Sequence, residues 1–202
     1  MAPPNDPGTL FLELERRLAE GPLHLRFEVV ADGVVEASWV GELMVGPVVD
    51  LWARGRFAGK DHVLRLWTEG DRLRIGSGEA PKIDLPRPAA LAPALLLGWT
   101  RMGVLHNLAM LVGGAPPDHA AGGVEDWVQT VDHRRPTSPG SQGDGVTFGL
   151  VVGGEPSGEA TLWLDARGTP VRREQTVEFP EGVMRVVERY EVLESALVPA
   201  GG

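Results

Sequence analysis

The first apolar positions recur at helical spacing. Leu10, Phe11, Leu14 and Leu18 share one stripe, with Glu13, Arg16 and Arg17 mostly elsewhere. Asp6 can cap this helix, Pro7 suits its first turn, and Gly21-Pro22 ends it, so a helix is predicted over 7–20. From residue 23 the period changes to two. Leu23, Leu25, Phe27 and Val29 alternate with His24, Arg26 and Glu28, and the alternation resumes after Asp32-Gly33 through Val35, Ala37, Trp39, Gly41, Leu43 and Val45. Val49 to Phe57, Leu64-Leu66 and Leu73-Ile75 follow as further strands separated by tight turns. A first antiparallel meander is therefore predicted over 23–76. Residues 79–88 read as a Pro-rich connection.

The alternation then stops. Residues 89–112, AALAPALLLGWTRMGVLHNLAMLV, form the one long apolar block of the chain, and Trp99, Met102, Leu105, Leu108 and Val112 recur in it at helical spacing. Gly98 is the expected break between two helices. With a short element at 124–133, this makes a helical insert over 88–133. Residues 134–145 read as a long exposed loop. Strands return at Thr147–Val152, Ala160–Leu164, Val171–Phe179 and Met184–Val192, a second meander over 146–194, with Glu188 standing alone on the apolar face of the last strand. The pattern predicts one α+β domain. Its curved antiparallel sheet, an incomplete barrel of about nine to eleven strands, holds the amino-terminal and central helices against its concave face.

The apolar block is long enough to cross a bilayer, but Arg101 near its middle costs about 2.5–3.5 kcal/mol there. Pro93, His106 and Asn107 act in the same direction, so a buried or lid-like helix pair is expected and a span is not. A net charge of −9 and a pI near 5.0 exclude a phosphate-binding surface, and with it a nucleic-acid partner. The chain has no cysteine, which removes thiol chemistry and cysteine metal sites. His24, His62, His106, His119 and His133 show no metal-ligand spacing. Ser141 sits in a loop rather than on a strand-to-helix turn, the glycine pairs at 122–123 and 153–154 match no phosphate loop, and Glu174, Glu178, Glu188 and Glu191 mark no acid/base pair. No catalytic residue, cofactor or metal is predicted. MAPPNDPG as written has no leader pattern. The expected compartment is the periplasm or cell envelope if a leader was removed, and the cytoplasm if Met1 is the native start.

Three stretches carry a resemblance to a known family. Gly41-Glu42-Leu43-Met44-Val45-Gly46-Pro47 is similar to a G-x-L-x-V-x-x-P strand and turn, one residue short before the proline. Leu66-Trp67-Thr68-Glu69-Gly70-Asp71-Arg72-Leu73 resembles the hairpin that follows it. Leu162-Trp163-Leu164-Asp165 with Gly168, Pro170 and Val171 resembles a late hairpin. Together with the order of elements, these stretches resemble the LolA/LolB/LppX-like superfamily of bacterial lipoprotein carriers. The resemblance implies a non-enzymatic protein that holds a hydrophobic ligand, an acyl chain, lipid or lipoprotein, between sheet and helical lid. It also implies an arginine on an early strand tying down the lid, for which Arg54 and Arg56 are the candidates.

The residues expected to shelter such a guest are the large apolar ones on the inner strand face and the insert: Phe27, Trp39, Leu43, Leu64, Leu66, Trp99, Met102, Leu105, Leu162 and Leu164. The same residues would serve equally as core beneath the helices. Trp52, Trp67 and Trp163 fall on the nominally polar face. Either that face is partly covered, with the first helix as the candidate cover, or it forms a Trp/Arg surface for an envelope protein partner.

Overall fold

The computed structural model describes residues 6–77, 80–117, 127–137, 144–195 and 197. His119, Ser141, the glycine pair at 122–123 and much of the 134–145 loop lie outside the described residues. Helix α1 (Pro7–Ala19) leads into strands β1 (Leu23–Gly33), β2 (Ala37–Val45), β3 (Asp50–Phe57), β4 (Lys60–Glu69), β5 (Arg72–Gly76) and β6 (Pro81–Pro86). Helix α2 (Leu91–Leu97), a π-helical turn (Gly98–Met102) and helix α3 (Val104–Val112) follow. Strands β7 (Val128–Arg134), β8 (Gly145–Val152), β9 (Glu155–Leu164), β10 (Pro170–Phe179) and β11 (Gly182–Glu194) complete the chain.

All eleven strands join one antiparallel sheet, in the order β6-β5-β4-β3-β2-β1-β11-β10-β9-β8-β7. The two predicted meanders are its halves, stitched together by the pairing of β1 with β11, in which Phe27 faces Tyr190 and Val29 faces Glu188. Two boundaries differ from expectation. Residues 81–86 form an edge strand rather than a connection, with Ile83 opposite Ile75 and Leu85 opposite Leu73. The last residues read as part of a helical insert, Val128 onward, form β7, the opposite edge, and α3 ends at Val112. Prolines obscured β6, and charged residues with sparse alternation obscured β7, as edge strands tolerate such residues.

Register puts one row of side chains on one face throughout. Leu66, Ala53, Trp39, Phe27, Val186, Ala160 and Phe148 are buried, while Val30, Val40, Trp52 and Val63 on the opposite face are exposed. Two glycines on the inner face let the sheet curl over itself. A Cβ on Gly41 would lie 2.5 Å from Phe27 Cζ and 2.2 Å from the Trp52 carbonyl oxygen; one on Gly55 would lie 2.9 Å from Trp39 Cδ2 and 2.1 Å from the Ser38 oxygen. Each aromatic ring thus rests across a bare position of the neighbouring strand, a packing that curved sheets use. Bulges on β1, β5, β7, β8 and β10 add to the bending.

The helices fill the concave side. Helix α1 begins as predicted, with the Asp6 side chain accepting from Thr9 N at 2.8 Å. Its Phe11 ring packs on Phe148 and on His133, at centroid distances of 4.6 and 5.5 Å. It therefore covers the β7–β8 end of the inner face and leaves the outer tryptophans alone. Trp52 stays 40% exposed and stacks with Arg54, Trp67 stacks with Arg65, and Trp163 is buried against Gly145. Among the described residues no helix is long and apolar enough to cross a membrane.

Replacing Gly41 with Val should push β3 from β2 and displace the Phe27 ring. A loss of about 1–3 kcal/mol is expected, as for overpacked cores, read as a lower urea midpoint with unchanged slope. An unchanged midpoint would show that the ring does not depend on the bare backbone.

Candidate functional site

The break in the insert falls at Gly103, not at Gly98. Gly98 is helical, with φ −56° and ψ −45°; it is small because a Cβ there would lie 2.6 Å from Asn107 Oδ1 on α3. Gly103 has φ +87°, which a side chain would resist, and a Cβ there would lie 2.5 Å from Glu188 Oε1 and 2.9 Å from an Arg173 terminal nitrogen. The glycine is required twice over, by its backbone and by what it touches.

What it touches is a charged pair on the inner face of the sheet. Arg173 on β10 and Glu188 on β11 are cross-strand partners, and both are fully buried. Glu188 Oε2 accepts the Val104 N–H at 2.8 Å and Oε1 accepts the Leu105 N–H at 3.0 Å. These are the first two amides of α3, whose own cap residue is a glycine with no side chain to offer. Arg173 donates to the Arg101 carbonyl near the end of the preceding π turn and, at 2.7 Å, to Gln175 Oε1. An anion thus meets a helix N-terminus and a cation a helix C-terminal end, each the favourable pole of the backbone dipole. Tyr190 donates its hydroxyl to Glu188, and its ring takes the Trp99 indole edge-on at 5.4 Å. Burial lowers the Arg173 pKa, opposed by Glu188. Burial and the Glu188 charge together hold the Tyr190 hydroxyl well above its ordinary value.

A second polar anchor joins the insert to α1. Arg101 donates to both carboxylate oxygens of Glu15, at 2.9 and 2.7 Å, and to the Val128 carbonyl of β7 at 2.8 Å. Thr100 donates to Glu15 at 2.8 Å. Arg101 therefore belongs in the apolar block because it links three elements.

The structure brings nine of the ten expected guest-sheltering residues into one continuous cluster and packs the tenth, Met102, against it. Phe27, Trp39, Leu43, Leu66, Trp99, Leu105, Leu162 and Leu164 are buried, and Leu64, at 9% exposed, is the most accessible of the nine. The expected lid arginine is corrected. Arg54 and Arg56 lie on the exposed outer face, with Arg54 over Trp52 and Arg56 donating to the Gly59 carbonyl. The arginine that holds the insert is Arg173, on a late strand. Its inward row, Arg173 and Gln175, is polar and so escaped the apolar-face pattern. The visible signals were Glu188 on an apolar face and Arg101 in an apolar block.

No protein-family model and no curated protein matches the sequence. Solved structures similar to it include a chain of the Pseudomonas aeruginosa MucA/MucB complex, at a TM-score of 0.39 and 13% identity over 92% of this chain. This chain spans 58% of that one. Also similar are a domain from Vibrio parahaemolyticus described as outer membrane lipoprotein-sorting (TM-score 0.32, 9% identity) and a LolA superfamily protein from Nitrosomonas europaea (0.29, 10%). Each of these two alignments covers 92% of this chain and 91% of the other.

Two outcomes follow. Glu188→Gln leaves Arg173 without its counter-charge and should cost about 3–5 kcal/mol, with faster hydrogen exchange at Val104 and Leu105; exchange at the wild-type rate would rule the capping role out. Tyr190 is the single tyrosine of the chain, so the near-ultraviolet tyrosinate band reports this hydroxyl alone. Because its folded pKa is raised, its contribution is complete below the unfolded value of about 10 and is lost as pH climbs from there through the folded one. The band should appear together with alkaline unfolding, and ionisation in the still-folded protein would contradict the buried hydrogen bond.

Proposed function

We propose that this protein is a non-enzymatic binder or carrier of a hydrophobic ligand, an acyl chain, lipid or lipoprotein, working in the bacterial cell envelope. The guest would occupy the concave face of the sheet as the helical insert moves aside. One observation carries this reading. The apolar inner face is covered by helices rather than by a second sheet, and the central pair breaks at Gly103, where buried Arg173 and Glu188 hold the two helix ends.

Such a seam favours release. Separating apolar surfaces costs roughly 25 cal/mol per Å² exposed, and an apolar contact at the break would add to that in full. Arg173 and Glu188 instead regain hydration as the helices leave, and the desolvation penalty of a buried pair offsets most of its attraction. The pair therefore holds the insert in register without making it hard to lift.

A second reading has its own observation. Trp52, 40% exposed with Arg54 stacked on it, offers an aromatic–arginine surface on the outer face suited to an envelope protein partner.

An environment-sensitive acyl probe separates them. The first reading expects saturable binding with a blue shift, and faster uptake by Glu188→Gln under conditions where that variant stays folded. Absence of binding by both proteins would end the carrier reading and leave the outer surface as the functional face.

A further inference from the structure

The helices part between α1 and α2. Between them runs a trough of about 520 Å³, within the range of small-molecule sites. One wall is the α1 stripe Leu12, Glu15, Arg16 and Ala19; the other is Ala92, Pro93, Leu96 and Leu97 with Thr100 and Arg101. Leu12 on the rim is 57% exposed, whereas Leu18 on the floor is 1% exposed and belongs to the main core. Ala92, Leu96 and Leu97 pack against that core as well. Through Leu18 the trough thus reaches the main core from the surface.

Its polar groups select the occupant. Glu15, Arg101 and Thr100 are bonded to one another, and Arg16 is held by Glu13 and Glu20. The trough therefore presents apolar side chains and no unpaired charge, so it asks for a guest with no charge along its length. The small residues Ala19 and Ala92 leave a slender space. Resting on the carrier reading above, we propose that this trough is a binding site for a single hydrocarbon chain, with the chain's head group left in water. It is distinct from the covered concave face and gives a chain its first contact with the core.

Palmitate is the probe. Because the chain has no cysteine, Ala19→Cys can be labelled uniquely with an environment-sensitive dye, and Ser38→Cys on the outer face serves as the control. Palmitate should blue-shift the dye at position 19 and leave the one at 38 unchanged. Ala92→Trp, which fills the trough, should weaken palmitate about tenfold or more, the effect of a few buried methylenes. Leu12→Glu on the exposed rim, where folding is undisturbed, should weaken it in the same direction.

If palmitate binds but neither substitution nor the dye at 19 responds, the trough is not the site, while the carrier reading stands. If palmitate fails to bind and the acyl probe of the preceding experiment also fails, both are overturned. If the protein dimerises in sedimentation equilibrium and Ala92→Trp abolishes the dimer, the trough is an interface between copies and the proposal is wrong.

Discussion

The architecture turns on one pair of charges beneath one glycine. Arg173 and Glu188 stand side by side on the sheet and reach the two helix ends that meet at Gly103, the arginine taking a carbonyl and the glutamate two amides. Helix ends carry unsatisfied backbone groups, and burying them without partners is costly. A chain that breaks a helix under a sheet must therefore supply an acceptor and a donor at the break. Here the sheet supplies both, and the bare Gly103 lets them approach.

The rest of the insert is placed by that fixed point. The Glu15–Arg101 bridge ties the same π turn to α1 and, through the Val128 carbonyl, to β7. Trp99 packs onto Tyr190, whose hydroxyl completes the shell of Glu188. Apolar contacts supply most of the attraction between insert and sheet but are indifferent to sliding. The directional bonds at Gly103 and Glu15 set the register.

The curvature that makes a hollow for these helices has an equally local origin. Gly41 and Gly55 let Phe27 and Trp39 lie across neighbouring strands, drawing β1, β2 and β3 together on the inner side. Exposed valines and Trp52 remain on the convex side, where no helix covers them.

The alternation of apolar and polar residues was sufficient, read alone, for most strands, the first helix and the central helical block, because each of these buries one face and period follows burial. The ten apolar residues expected to face the interior were legible for the same reason. Strands β6 and β7 were not, since an edge strand buries little: the prolines of β6 read as a connection, and the sparse apolar residues of β7 read as the end of the helical insert. Nor could spacing tell Gly98 from Gly103: one glycine makes room for Asn107, the other for a positive φ and a carboxylate. That Arg173, not Arg54 or Arg56, holds the insert was decided only when β10 and β11 paired. A lone charge on a strand reads as solvated until tertiary contact provides the helix ends that it neutralises.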